Sequence, residues 1–558
     1  MAIPVREPAV EVLAYGDGSL GGKGEGLARL NACDIPGVTK LRTRILTTSF
    51  FDRFVALGRQ LEPEPLAVIS SILGDMGDAP VGVRSSATNE AGISSAGIGP
   101  VHAGEHASFM LPNNHPDPET RLGQLVQAVR HVYDDFLRKQ APGSAEKMAI
   151  VINPIPGLYD DTRAGPCYYP YISGIANSFF PHALKAQDPN DGFARIAFGH
   201  GYATVLDDFP VISMATIRDP IPVKFLQSGG GQKYFYALDM TKNRELKGEE
   251  LETMVKLHVQ FANYHKIKLL GLHHNVITIE ELVQKNHFGF RSGLVEIMEK
   301  IASVTSTPFQ IEFVFNIDFG CTDRECGRFH VVQLTLLPRL ECEAVDFPDR
   351  PARTYVSVRS LQGHGVRTDI QHAVVVSPFL YRKDKHDAVR EALARVNHRM
   401  RAAREPYILI VPGRLGSRNR DWGLFLEFRE VDGAAAIFEY GVDVAGRPEP
   451  LPEEEALTGG IYGSHFLYMI QGGFDEERKK AQTRMYGTQG THFLTNLMCN
   501  NIVYGFIAPM HDTIDPWFFR GPNPDEPLYV LEFPRPVSVY ADTIHQRCDV
   551  VQEEAGRP

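Results

Sequence analysis

Residues 81–97 read VGVRSSATNEAGISSAG. The apolar start at 81–83 predicts a buried strand, and Arg84 follows it directly. One interpretation is a strand that runs into a flexible surface loop. The other is a strand that ends on a phosphate-binding arginine, followed by Ser and Gly residues that let an anion approach the backbone. In the second interpretation Arg84 and Ser85 would contact the phosphate groups of a ligand.

Composition bounds the class of protein. The chain has 558 residues, 43% hydrophobic and 22% charged, which is typical of a globular protein with two to four domains. A formal net charge of −11 argues against nucleic acid as the main partner. A phosphate-bearing ligand would therefore need local positive charge, and we expect the substrate to be a small molecule.

The sequence also indicates a compartment. It contains no run of 18 apolar residues and no signal-peptide pattern at its start, so we expect no membrane partner. The seven cysteines, scattered between Cys33 and Cys548, favour reduced thiols over a disulfide framework. Together these features predict a cytoplasmic protein, and nothing in them indicates an oligomeric state.

Hydrophobic periodicity predicts mixed secondary structure in the first two thirds of the chain. Alternating or continuous apolar runs predict strands at 148–154, 194–201, 310–317 and 329–337. Helical spacing predicts helices at 120–140, 248–266 and 291–304. The run LGGKGEGLARL at 20–30 predicts a turn that opens a helix from about Glu25.

A boundary is predicted in the Pro- and charge-rich stretch 338–353. Beyond it, strands are expected at 354–361, 372–379 and 404–414, with an amphipathic helix at 386–404. We therefore expect two domains, residues 1–340 and residues 341–558, the second a smaller α/β domain.

Six segments of the first domain stand in an order that resembles a known family. They are LGGKGEGLARL (20–30), VRSSATNE (83–90), YYPYISGIANS (168–178), IAFGHGYATVLD (196–207), PFQIEFVF (308–315) and VVQLTLLP (331–338). This order is similar to the nucleotide-binding part of phosphoenolpyruvate synthase and pyruvate phosphate dikinase. The resemblance covers roughly residues 12–340. It implies an α+β fold of the ATP-grasp type, in which two lobes sandwich ATP.

The resemblance also implies roles for individual residues. Lys23 and Arg84 would bind nucleotide phosphates, one as a point charge and the other as a planar fork. Glu312 and Gln333 would hold Mg²⁺, which bridges phosphate oxygens during transfer. The remaining residues expected at the nucleotide are Ser85, Gly199 and Gly201.

The chain departs from the family pattern at three points. Gln310 stands where the family has an aspartate, and Thr335 stands where it has an arginine. No phosphohistidine domain is recognisable, and the chain after residue 345 is too short for a pyruvate-binding barrel, which needs about 250 residues. The phosphoryl acceptor is therefore not given by the resemblance.

The C-terminal domain contributes further candidates. The run ILIVPGRLGS predicts a buried strand that leads into a Gly-rich loop, where Arg414 would bind a carboxylate or phosphate or would simply be solvated. His465 and His492 lie in a repeated Gly-Ser/Thr-His-Phe motif. They would line the acceptor site, with His465 as a candidate phosphoryl carrier, or would be core histidines beneath a glycine turn.

One further cluster has zinc-ligand chemistry without a standard zinc spacing. Cys321, Cys326, His330 and Cys342 form C-x4-C-x3-H-x11-C, and the first three are expected in a hairpin between two strands. The spacing leaves a zinc site and an ordinary hairpin as alternatives.

Three functions remain open at this stage. The first is an ATP- and Mg²⁺-dependent phosphotransferase that acts on a small acceptor. The second is an ATP-grasp ligase that joins a carboxylate to an amine through an acyl phosphate. The third is a nucleotide-binding regulatory protein with weakened catalysis, because Gln310 and Thr335 reduce the charge around the transferred phosphate.

Overall fold

The structure is a computed structural model. The residues it describes are 11–33, 35, 37–90, 93–94, 97–98, 104–140, 144–179, 192–206, 212–214, 232–241, 251, 253–273, 275–319, 326–337, 344–359, 361–377, 383–412, 415–416, 424–440, 493, 496–497, 499–507, 512–519 and 526–553.

The chain divides into two compact units. Unit 1 comprises Met1–Phe180, Asn190–Thr204 and Pro210–Pro338, and unit 2 comprises Arg339–Pro558 with Pro181–Pro189 and Val205–Phe209. The described residues combine helices with several sheets, so the expectation of a mixed α+β structure is confirmed at that level. No helix within them is long and apolar enough to cross a membrane.

The elements before residue 338 have the following bounds. The strands are β1 Val12–Tyr15, β2 Thr43–Leu46, β3 Val81–Ala87, β4 Ile93–Ser94, β5 Gly97–Ile98, β6 Phe109–Leu111, β7 Met148–Pro154, β8 Leu158–Thr162, β9 Gly165–Tyr169, β10 Ile172–Asn177, β11 Phe193–Phe198, β12 Ile212–Met214, β13 Tyr234–Asp239, β14 Met254–His258, β15 Leu272–His273, β16 Val276–Ile277, β17 Phe309–Ile317 and β18 Gly327–Leu336. The helices are α1 Gly21–Ala32, α2 Thr48–Ala56, α3 Pro63–Met76, α4 Pro118–Lys139, α5 Tyr202–Leu206, α6 Tyr264–Ile267, α7 Glu280–Gln284 and α8 Phe290–Val304. The predicted helices over α4 and α8 are confirmed.

The first sheet of unit 1 has the strand order β1-β2-β7-β3-β6. Strand β3 pairs antiparallel with β7 from Val81 opposite Pro154 to Ala87 opposite Met148. The prediction that this strand ends at Arg84 is wrong, because pairing continues through three more residues. Ser85 and Ser86 are therefore fully buried strand residues and not part of a loop.

The second sheet has the order β12-β11-β10-β17-β18, and its pairings are antiparallel. Because side chains alternate along a strand, β17 presents two different faces. Ile311, Phe313 and Phe315 point into the apolar core of the unit, whereas Gln310 and Glu312 lie on the opposite face. This alternation places polar groups from neighbouring strands side by side.

Helix α1 lies against strands of both sheets through its glycines. A Cβ atom on Gly26 would stand 2.2 Å from the carbonyl oxygen of Leu334 in β18. Gly21 has φ +68°, and a Cβ atom there would meet the Ser86 carbonyl oxygen at 1.7 Å. The helix begins at Gly21 and not near Glu25 as predicted, because these glycines allow close helix–strand packing and do not form a free turn.

The predicted helix at 248–266 is wrong over Met254–His258, which form strand β14. That strand pairs antiparallel with β13, from Tyr234 opposite His258 to Leu238 opposite Met254. The apolar residues Val255, Leu257 and Val259 alternate with polar ones, and all three pack on the core of the unit. A period of two was therefore present in the sequence and decides the local structure.

Unit 2 contains a nine-stranded sheet. Its strands are β19 Arg353–Val358, β20 Leu361–Gln362, β21 Gly365–Val376, β22 Tyr407–Pro412, β23 Ala434–Tyr440, β24 Val503–Phe506, β25 Thr513–Ile514, β26 Leu528–Asp542 and β27 Arg547–Gln552, and its helix is α9 His386–Ala403. Strands β21, β22, β23 and β24 pair in parallel, and α9 connects the first two. The predicted helix at 386–404 is confirmed to within one residue.

The close packing of α1 generates a stability prediction. Gly26→Ala should lower the free energy of unfolding by about 1–3 kcal/mol, because the new methyl group has no space against the Leu334 carbonyl. The control is Gly123→Ala in α4, where a Cβ atom would meet nothing within 4 Å. That change should be neutral or should stabilise by up to about 1 kcal/mol. Urea unfolding followed by circular dichroism compares the two variants, and equal midpoints would contradict the packing argument.

Candidate functional site

Arg84 is the centre of a polar site that joins the first and second sheets of unit 1. Its Nη2 donates to Oε2 of Glu312 at 2.6 Å and to Oε1 of Gln333 at 2.9 Å. Its Nη1 donates to the Val332 carbonyl at 2.8 Å. Arg84 lies on β3 of the first sheet, and the three acceptors lie on β17 and β18 of the second. Three of the residues predicted for the site are thus brought together.

A β-bulge makes the third acceptor available. Glu312 pairs with Gln333, but the next residue, Phe313, pairs with Val331, so Val332 has no partner in this register. An extra residue of this kind leaves its backbone groups outside the ladder and bends the strand. Here the Val332 carbonyl accepts the hydrogen bond from Arg84.

The amide of Gln333 has a defined orientation. Its Nε2 donates to the Thr335 hydroxyl at 3.2 Å, while its Oε1 accepts from Arg84. Because a guanidinium only donates, the amide oxygen must be the atom that faces it. A carboxylate oxygen and an amide oxygen therefore converge on the same nitrogen atom.

The two positions that depart from the family pattern are neutral and buried. Gln310 donates from Nε2 to Oδ1 of Asn177 at 2.7 Å, and it pairs directly with Thr335 across the two strands. Both side chains are almost completely removed from solvent. By contrast, the Arg84 and Glu312 side chains each keep 14% of their surface exposed. The ion pair is thus the accessible part of this face.

The loop with Gly199 and Gly201 approaches the same site through His200. Burial, followed by the charge of Arg84, lowers the pKa of His200 to about 4, while the charge of Glu312 acts in the opposite direction. His200 is therefore neutral near pH 7 and lies within electrostatic range of the ion pair. The sequence prediction named both glycines but missed the histidine between them.

Lys23 makes a different set of contacts. Its Nζ lies 2.6 Å from Oε1 of Glu90 and 3.1 Å from the Ser85 hydroxyl, which itself donates to Glu90 at 3.0 Å. Lys23 is 5% exposed and Glu90 is 1% exposed. The role of Lys23 as a phosphate ligand stays a prediction, and it would require the ammonium group to leave this buried pair.

The ionisation of Glu90 is determined by opposing effects. Burial alone would raise its pKa, but the charges of Lys23 and His106, with hydrogen bonds from Lys23 and the Ala87 amide, hold the pKa below its ordinary value. Glu90 is therefore charged near neutral pH. Glu90 is not among the predicted site residues, although a buried lysine beside a serine needs a carboxylate partner.

Several predicted residues cannot be placed. Arg414, His465 and His492 lie outside the described residues, as do Cys321 and Cys342 of the cysteine cluster. Cys326 is disulfide-bonded, so the expectation of reduced thiols is wrong for this cysteine, and its sulfur is not a thiolate ligand. Within the described part of the chain there is no group of three or more His, Cys, Asp or Glu side chains able to hold a metal ion.

No protein-family model matches the chain, and no curated protein matches it. Functional inference therefore depends on the sequence segments and on the geometry around Arg84.

The buried Lys23–Glu90 pair generates a second stability prediction. Lys23→Met should destabilise unit 1 by about 3–5 kcal/mol, because it leaves a buried carboxylate without its cation. The double variant Lys23→Met/Glu90→Gln should recover part of this loss. The control, Lys147→Met, breaks the exposed pair with Asp52 and should cost less than about 1 kcal/mol. Chemical denaturation of the four proteins measures these differences.

The same pair has a pH signature. Because the pKa of Glu90 is lowered in the folded state, its contribution is fully present above the ordinary carboxyl pKa and is lost as pH falls through the folded-state pKa. The parent should therefore lose more stability on acidification than Lys23→Met/Glu90→Gln. Identical pH profiles between pH 7 and 3 would contradict a charged Glu90.

Proposed function

We propose that residues 1–340 form an ATP-grasp domain related to phosphoenolpyruvate synthase, which binds Mg-ATP and transfers its phosphoryl group to a small-molecule acceptor. The observation that carries this proposal is the convergence on Arg84 of Glu312 and Gln333, which are 228 and 249 residues away in sequence. The resemblance implies that these three residues belong to one nucleotide site. Their origin on two different sheets suits a ligand held between two lobes.

The residues present are chemically suitable for magnesium. Mg²⁺ prefers oxygen donors, and the carboxylate of Glu312 with the amide oxygen of Gln333 provides two that already face a single cationic nitrogen. When bound, the ion would neutralise charge on the phosphate oxygens. Thr335 would keep the Gln333 oxygen directed toward the site through its hydrogen bond to Nε2.

Arg84 would change partners when the ligand binds. Its guanidinium is paired with the Glu312 carboxylate, and a phosphate group can accept hydrogen bonds from the same guanidinium. The planar guanidinium of arginine can hold two acceptor oxygens at once, so it is suited to phosphate as well as to carboxylate. The bulged Val332 carbonyl would keep Nη1 in place while Nη2 exchanges partners.

Substitutions at Arg84 test its role. Arg84→Lys should weaken Mg-ATP binding or turnover markedly, because it keeps the charge and loses the bidentate geometry. Arg84→Ala should cost more than about 1.5–3 kcal/mol of binding free energy, the value of a hydrogen bond to a charged group. Isothermal titration calorimetry with Mg-ATP measures both. Parent-like affinity and turnover in both variants would show Arg84 to be only a structural link between the sheets.

The function itself is tested with the full-length protein. It should bind ATP in the presence of magnesium, and incubation with ATP and a metabolite extract should consume one metabolite and yield its phosphorylated form by mass spectrometry. Glu312→Gln should reduce this turnover at least tenfold, since it removes the charged oxygen donor. No ATP binding by the parent would rule the proposal out. An amide product formed with ADP would indicate a ligase instead.

A second function is favoured by one observation, the neutrality of Gln310 and Thr335 next to the ion pair. A site with fewer charges would stabilise a transferred phosphoryl group less and would still bind nucleotide. The protein would then be a nucleotide-binding regulator. ATP binding without any turnover, together with an unchanged cellular role for Glu312→Ala, would separate this function from a phosphotransferase.

A further inference from the structure

His200 lies in a loop that is held by hydrogen bonds and by a ring contact. Gly199, before it, has φ +89°, and its carbonyl accepts a hydrogen bond from the Ser173 hydroxyl at 2.8 Å. The His200 amide donates to the Tyr236 carbonyl at 2.8 Å. Its ring packs edge-to-face on Tyr202, with 4.9 Å between the ring centroids. The imidazole is therefore held in one position.

A hydrogen bond also defines which ring nitrogen of the imidazole carries the proton. The Tyr202 amide donates to Nδ1 of His200 at 3.3 Å, so Nδ1 carries a lone pair. A neutral histidine with Nδ1 as acceptor carries its proton on Nε2. Within the described residues this Nε2–H has no hydrogen-bond partner, and His200 as a whole is half-buried. His200 thus presents a donor of fixed direction that the fold does not use.

Sheet register places the residue that anchors this loop, Ser173, beside Glu312. Ser173, whose hydroxyl holds the loop, pairs with Val314, and Ile175 pairs with Glu312. Ser173 and Glu312 are therefore diagonal neighbours on one face of the sheet, about 7–8 Å apart. The loop that Ser173 anchors lies over the face on which Glu312 meets Arg84. Both charges also act on the His200 ring.

We propose that His200 is a ligand-binding residue, which donates its Nε2–H to a phosphate oxygen of the nucleotide that pairs with Arg84. This inference rests on the proposed function and adds a third contact that neither the sequence segments nor the ion pair specify. A neutral donor is suited to this position, because a second full positive charge beside Arg84 would repel it until a ligand arrives. Burial of the ring keeps this donor neutral at physiological pH.

Two substitutions separate ligand binding from a structural role. The amide oxygen of asparagine matches Nδ1 of histidine, so His200→Asn keeps the acceptor for the Tyr202 amide and loses the Nε2–H donor. The amide nitrogen of glutamine matches Nε2, so His200→Gln keeps the donor and loses the acceptor. Calorimetric titration of the full chain with Mg-ATP should show about tenfold weaker binding for His200→Asn. His200→Gln should stay within about threefold of the parent.

Each other outcome has a defined meaning. Weak binding by His200→Gln with parent-like binding by His200→Asn, or parent-like binding by both, overturns the assignment. If both variants bind weakly, the ¹⁵N spectrum of histidine side chains in the parent decides. A shift of the His200 Nε2 resonance on addition of Mg-ATP supports the contact, and no shift overturns it. A parent that binds no Mg-ATP overturns the proposed function and this inference together, whereas loss of the His200 effect alone leaves the proposed function standing.

Discussion

The hydrogen-bonded ion pair between Arg84 and Glu312 is the contact on which the arrangement of unit 1 around the site depends. It joins two sheets through residues that are 228 positions apart in sequence. The Arg84 guanidinium donates to a carboxylate, an amide oxygen and a bulged carbonyl of the second sheet. These hydrogen bonds tie β3 to the paired strands β17 and β18.

Helix α1 supports the same arrangement because its glycines have no side chains. Its glycines remove the side chains that would separate it from β18, and Ser86 bonds to the backbone of the helix at Leu20 and Gly24. The site can form because one short helix lies close to strands of both sheets. The GGKG segment therefore contributes packing as well as the lysine that a family resemblance would emphasise.

The sequence predicts helices most accurately where the helical periodicity of apolar residues is strong and extends over several turns. Helices α4, α8 and α9 carry an apolar face over four or more turns, and their bounds were found to within a few residues. The predicted local structure is wrong where a sequence pattern competes with a tertiary contact. Met254–His258 is held as a strand by β13, and GGKG is helical because neighbouring strands exclude a loop. Glu90 and His200 were missed because their importance depends on partners distant in sequence.

The two predicted cations occupy different environments because of strand geometry. Arg84 and Ser85 are consecutive on β3, so their side chains point to opposite faces of the sheet. Arg84 contacts the second sheet and is partly exposed to solvent. Ser85 instead forms hydrogen bonds with both members of the buried pair, Lys23 and Glu90. In the proposed function, a ligand would replace Glu312 as the partner of Arg84 at modest cost, since both side chains are partly exposed. The same exchange at Lys23 would leave Glu90 charged and buried, which costs several kcal/mol in most proteins. In the proposed function, nucleotide binding would therefore depend first on Arg84 and the groups around it, and Lys23 would contribute to it only by leaving its buried pair with Glu90.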